Sequence, residues 1–248
     1  VEISKKIDPE KTPEEQLKIM EEYTRVHYES RNLDKAEREV NCLNVLFPTN
    51  FRKIEEDDLI AGRLDYLPIG FGCVTSLGGV GHYCVFNKLR EFKEKLNTEE
   101  EKERVDKLYK YWEDNDVKAI YCKDVLNETV GRFIDCKYPI MATARLSGMM
   151  LDYKKLVNTG VNGIIKELES MEENSFINSS IKAMQIFKNV IVFYQDEVKD
   201  KYDNEEDELR KEQLLKMYKD LVHIENDKPE TFSQALQLFW LFALCSGS

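Results

Sequence analysis

The sequence predicts a predominantly α-helical chain, and three observations carry that prediction. Two segments open on strong helix start signals, long stretches repeat apolar residues at three- and four-residue steps, and glycine-rich irregular sequence is confined to particular zones. In Thr12-Pro13-Glu14-Glu15, Thr12 can cap, Pro13 suits the first helical position and Glu15 can close a capping box, so a helix is expected to run to about Ser30. A second is expected from Leu33 to Phe47, stopped by Pro48.

Between Ile54 and Cys84 the pattern changes: Leu59, Ile60, Leu64, Tyr66, Leu67 and Ile69 alternate loosely and glycines multiply, which predicts strands or irregular packed segments. Thr98 followed by Glu101 opens another capping box, leading a helix with Val105, Leu108, Tyr109 and Trp112 on one face. Lys137 to Gly148 is a second irregular zone. Beyond it, Ile177, Ile181, Met184, Phe187, Ile191, Tyr194 and Val198 mark an amphipathic helix from Ser175 to Lys201. An acidic break, Asp203 to Asp207, precedes a helix using Leu214, Met217, Tyr218, Leu221 and Val222. After Lys228-Pro229 the last helix carries Phe232, Ala235, Leu236, Phe239, Trp240 and Ala243. Its segment Leu236 to Leu244 is apolar nearly all round and is expected to be covered, by a partner or by further polypeptide.

The 248 residues contain 42% apolar side chains, enough to bury a substantial core, and no internal repeat or long linker divides them. With 36 Lys+Arg against 47 Asp+Glu the net charge is -11, and basic residues are interleaved with acidic ones, which argues against nucleic acid or an anionic membrane as partner. No apolar run approaches the ~20 residues that span a bilayer, and Val1 to Lys5 lack a signal-peptide pattern, so a cytoplasmic location is expected. The six cysteines, Cys42, Cys73, Cys84, Cys122, Cys136 and Cys245, include no CxxC pair and read as reduced thiols, with neither a zinc site nor a disulfide framework.

The most chemical stretch is GFGCVTSLGGVGHYC, Gly70 to Cys84. His82 stands beside Gly78, Gly79 and Gly81, which allow close backbone approach, so it reads either as a ligand contact or as a histidine bonded within a tight turn. Cys73 lacks a visible local base or cation, which favours a buried thiol over a nucleophile. Gly79-Val80-Gly81 matches neither a dinucleotide fingerprint nor a P-loop. Arg63 could bind an anion or pair with Asp65, and Arg145 could grip a carboxylate by its fork or form a structural ion pair.

Four pieces, in order, resemble glycyl radical enzymes, the pyruvate formate-lyase-like superfamily. Glu56 to Gly62 (EDDLIAG) looks like the family's acidic-Leu-Ile-x-Gly segment, and Leu108 to Trp112 is similar to its Tyr-Trp. Met141 to Glu169 resembles its Gly-His region, with Gly148, Asp152-Tyr153, Lys155-Leu156 and Gly160 to Gly163 as counterparts. Pro229 to Trp240 (PETFSQALQLFW) looks like its Pro-x-Thr-Phe-x-x-Ala-Leu-Gln helix. The resemblance implies the N-terminal, mostly outer-helix part of a ten-stranded α/β barrel, with residues 1–248 forming part of one such domain.

It further implies an anaerobic lyase or formate C-acetyltransferase-like enzyme working on a small metabolite by elimination, C–C cleavage or decarboxylation. The complete enzyme would carry a glycine radical installed by an S-adenosylmethionine/iron–sulfur activating enzyme, and would form a homo-oligomer. This chain is expected to hold no metal, no cofactor and no catalytic residue. The family's catalytic cysteine and its Arg-Val-x-Gly-Tyr radical glycine have no counterpart in this sequence, and Gly72-Cys73-Val74 stands too early to be the former. Alone, the chain is expected to be inactive. His82, Arg145 and Met149 are its expected substrate contacts, with Met149 replacing the Gly-His histidine of several dehydratases. The rival expectation is a helical interaction protein that docks a partner through its apolar C-terminal helix.

Overall fold

The computed structural model of the chain describes residues 10–70, 83–116, 120 and 151–246. Among them eight helices follow in order: α1 (Pro13–Glu29), α2 (Lys35–Leu46), α3 (Phe86–Glu94), α4 (Glu99–Asn115), α5 (Tyr153–Glu169), α6 (Ser175–Asn204), α7 (Glu208–Asn226) and α8 (Phe232–Ser246). None of them is long and apolar enough to cross a membrane.

Local chemistry places the starts. Thr12 Oγ1 accepts from the Glu15 N–H while the Glu15 carboxylate accepts from the Thr12 N–H, and Thr98 with Glu101 repeats the arrangement ahead of α4. Asp34, Asp152, Asn174 and Asp207 cap α2, α5, α6 and α7 in the simpler way, each side chain accepting a first-turn N–H. Inside α5, Gly160 adopts φ 70° and ψ 169°, so two helical pieces meet there at a bend. A Cβ on Gly160 would lie 2.9 Å from the Lys228 Cα, which is why this position needs glycine. Helix α3 is absent from the expectations above, although Leu89, Phe92 and Leu96 are buried at helical spacing.

The chain packs as two compact units. One comprises Val1–Glu10, Arg25–Asp65 and Leu151–Ser248; the other comprises Lys11–Thr24 and Tyr66–Met150. In the first, α6 is central, with α2, α5 and α7 against it and α8 against α5, α6 and α7. Val190, Ile191, Tyr194 and Val198 on α6 meet Leu214, Leu221 and Ile224 of α7 in a fully buried core. Each such aliphatic side chain contributes about 1.5–3 kcal/mol relative to exposure.

In the second unit α3 packs on α4 around Trp112, which is 0% exposed. Its ring lies against Tyr23, Tyr83 and Tyr111, and its indole N–H donates to Thr24 Oγ1 at 2.9 Å. A forked Arg104–Glu21 pair ties α4 to α1.

The zone from Ile54 to Cys84 is irregular where it is described, with two isolated antiparallel bridges, Phe51 to Leu64 and Ile69 to Cys84. Leu59 and Tyr66 are exposed, so only part of the loose alternation points inward. Helix α8 corrects its expected face. Its buried side is Gln237, Leu238, Leu241 and Ala243, whereas Phe232, Leu236, Phe239 and Trp240 are 38% to 83% exposed. A helix apolar on nearly every side has no single apolar stripe to read, and specific polar contacts decide which face turns in.

Candidate functional site

In the first unit, the segment from Arg52 to Asp65 is held by long-range polar contacts. Gln237 clasps Ala61 twice: its Oε1 accepts from the Ala61 N–H at 2.8 Å and its Nε2 donates to the Ala61 carbonyl at 2.7 Å. One helical turn on, Trp240 Nε1 donates to the Gly62 carbonyl at 2.9 Å. Gly62 has φ 133°, and a Cβ there would stand 2.7 Å from the indole. Only glycine permits this approach. The motif EDDLIAG and the motif PETFSQALQLFW, far apart in sequence, are thus one contact.

Tyr194, 0% exposed, closes the other side. Its hydroxyl accepts from the Arg63 N–H at 2.8 Å and lies 2.8 Å and 3.0 Å from the carbonyls of Arg52 and Arg63, to which its single O–H can donate. Burial raises its phenol well above the ordinary range, outweighing the Arg63 N–H that would lower it. It is a fixed hydrogen-bond post rather than an acid or base.

Arg63 does not pair with Asp65. Its guanidinium forks onto Asp58 at 2.7 Å and 2.7 Å and reaches Glu55 at 3.1 Å, while Asp65 pairs with Arg52. The turn at Glu56 and Asp57 and the bend at Leu59 and Ile60 bring Asp58 and Arg63, five apart, face to face, which side-chain order along the sequence does not show. Burial alone would raise the Asp58 carboxyl; the Arg63 hydrogen bonds, the Glu55 N–H and the charges of Arg63 and Arg210 overcome it and hold the group below its ordinary value. Two carboxylates already engage Arg63, so this constellation is a structural clamp.

In the second unit the described residues flank the glycine-rich stretch. Gly70, at φ 142°, donates its N–H to the Tyr83 carbonyl at 2.9 Å, and the Val85 N–H donates to the Pro68 carbonyl at 2.8 Å. Asp116, 1% exposed and capping the end of α4, accepts at Oδ1 from the Tyr83 N–H at 2.7 Å and the Cys84 N–H at 3.1 Å. These contacts join the two ends of the segment 71–82.

His82, Arg145 and Met149 lie outside the described residues, as do Cys73, Cys122 and Cys136. Cys42 and Cys84 are buried, and burial raises the thiol of the partly covered Cys245 well above its ordinary range. Among the described residues, no group of His, Cys, Asp or Glu could hold a metal ion. The sequence marks Tyr194 only as part of the apolar face of α6, and Asp116 and Gln237 were not singled out. Of those two, Gln237 had a visible signal, as the one polar residue inside Leu236 to Leu244.

In each unit buried polar side chains hold irregular segments, Tyr194 and Gln237 in the first and Asp116 in the second. The chain belongs to the pyruvate formate lyase-like family, whose model matches residues 1–247. Among curated proteins it is similar to (2S)-3-sulfopropanediol dehydratase of Klebsiella oxytoca, 26% identical over 160 residues, covering 58% of this chain and 19% of the relative. Among solved structures, the B12-independent glycerol dehydratase of Clostridium butyricum in its glycerol-bound form superposes with TM-score 0.68 at 20% identity, over 93% of this chain and 31% of that one. A glycyl radical enzyme from Archaeoglobus fulgidus gives TM-score 0.66 at 19% identity, over 95% and 34%. The chain therefore spans about a third of the length of these two solved structures and about a fifth of the curated relative.

Proposed function

We propose that this chain supplies scaffold and part of the substrate-pocket wall of a glycyl radical enzyme that dehydrates a small hydroxylated metabolite in anaerobic metabolism. The observation that carries the reading is the family match over residues 1–247, joined by the contact of Gln237 and Trp240 with Ala61 and Gly62 that makes two family-like motifs one structural unit. Dehydration is favoured over C–C cleavage or decarboxylation because relatives of this chain are named as dehydratases.

In this reading the chain is the N-terminal, outer-helix part of the barrel. His82 and Arg145 give the substrate polar contacts and Met149 an apolar one. The glycine radical, installed by a separate S-adenosylmethionine/iron–sulfur activating enzyme, supplies hydrogen abstraction from the substrate through a thiol; both groups belong to parts of the enzyme other than these residues. The work of this chain is to orient the substrate, exclude water and hold a hydrogen bond to a substrate hydroxyl. The complete enzyme is a cytoplasmic homo-oligomer. The exposed face of α8 supports a second reading, a partner-docking protein.

The test is anaerobic co-expression of the complete enzyme with its activating enzyme. The expected result is a glycyl-radical EPR doublet, with glycerol or 1,2-propanediol converted to an aldehyde detected by a coupled reductase. No doublet overturns the enzyme reading. A doublet without dehydration of any small polyol tried moves the reaction to another radical elimination or cleavage.

A further inference from the structure

We propose that the link between α7 and α8 is a coupling element of the first unit. Seated on the Gly160 bend of α5, it sets the position of α8 and, through Gln237 and Trp240, that of Ala61 and Gly62, so a shift at the bend reaches the loop. The carrying observation is a run of close contacts from one to the other. At the bend, a Cβ on Gly160 would stand 2.9 Å from the Lys228 Cα and 3.0 Å from its N, so backbone rests on backbone with no side chain between to absorb movement.

The link is fastened from three helices. Asn162 of α5 donates through Nδ2 to the Asn226 carbonyl at 3.0 Å, while its Oδ1 accepts from Lys188 Nζ of α6 at 2.9 Å. From α7, His223 Nε2 donates to the Lys228 carbonyl at 2.9 Å. The first turn of α8 then follows the link. Gln234 Oε1 accepts the N–H groups of Glu230 and Thr231 at 2.8 Å and 3.2 Å, and Ser233 Oγ donates to Asp220 of α7 at 2.7 Å. Further along the same helix, Gln237 and Trp240 hold Ala61 and Gly62. A packed interior has low compressibility and passes a displacement on.

The experiment is hydrogen exchange, read by mass spectrometry on the purified full-length protein. It follows the Ala61 amide, which Gln237 protects, with the α6 core at Val190 to Val198 as internal reference. Gly160→Ala is expected to speed exchange at Ala61 about tenfold or more, and in the α6 core less than about twofold. Gly163→Ala is the control, because its Cβ would meet only the Thr159 side chain of the same helix. Exchange at Ala61 is expected to stay within about twofold of wild type there. In a Gln237→Leu background the amide has already lost its acceptor, so Gly160→Ala is expected to add less than about twofold. Unchanged exchange at Ala61 in Gly160→Ala overturns the inference. So does an increase shared equally by the α6 core, which is general loosening, or one that persists in full without Gln237. Should Gly160→Ala fail to fold, Asn162→Ala, which removes the side-chain bond to the link, takes its place with about threefold faster exchange expected at Ala61 and the same overturning results.

Discussion

His27 shows what burial does to a single group. It is 4% exposed on α1, and burial first, then the neighbouring Arg38 charge, pull its pKa from 6.5 to about 4, with Glu39 opposing weakly. The imidazole is therefore neutral in the folded chain at pH 7. The folded pKa lies below the unfolded one, so protons bind the unfolded state preferentially as pH falls below about 6.5. The stability His27 contributes is complete above that pH and is lost progressively down to about pH 4. Asp58, whose carboxyl is also held low, adds loss at the acid end. The melting temperature is expected to fall between pH 6.5 and pH 4, and His27→Gln to flatten that slope. Circular-dichroism melts across the range decide it: parallel profiles for the two proteins would mean His27 titrates normally.

Helix α8 locates the fold's most exacting contact. Gln237 is 2% exposed and satisfies both backbone groups of Ala61, itself 0% exposed. Gln237→Leu has the right size but leaves a buried N–H and C=O unpaired, and is expected to cost about 3 kcal/mol. Gln237→Glu keeps the acceptor and should cost less at pH 5 than at pH 8, where its second oxygen would face the Ala61 carbonyl as an anion. Urea titrations at the two pH values measure both; a Leu variant within about 0.5 kcal/mol of wild type would show that water can replace the glutamine. What the sequence revealed follows the same line. The boxes at Thr12 and Thr98 were legible because both partners lie within one turn. Gln237 was legible only as an odd polar residue, because its partner is 176 residues away. The Arg63 pairing was misread for a related reason, since a turn chooses Asp58 over the nearer Asp65. Asp116 gave no signal at all: an aspartate after a helix is common, and only the fold brings Tyr83 and Cys84 to it.

At the scale of the whole molecule the open question is what meets the outer side of α8, where Phe232 is 83% exposed and Leu236, Phe239 and Trp240 about two-fifths. Part of that side is already engaged: Phe239 packs on Tyr153 at 4.6 Å between ring centroids, and Trp240 serves Gly62. Phe232 is the discriminating position, because it opens the helix. If it faces water in the full-length protein, Phe232→Asp places an anion at a helix N-terminus and should be neutral or stabilising by up to about 1 kcal/mol. If further polypeptide of a radical enzyme covers it, the same change buries a charge without a partner, and the sign reverses. Leu209→Asp, at a residue 66% exposed in the first turn of α7, gives the control for a helix start in solvent. Since the chain spans about a third of its solved relatives, the expected result is a melting temperature lowered by Phe232→Asp and unchanged or raised by Leu209→Asp in the purified full-length protein. Equal, slightly positive shifts at both sites would leave the face open to solvent and turn attention to a separate docking partner.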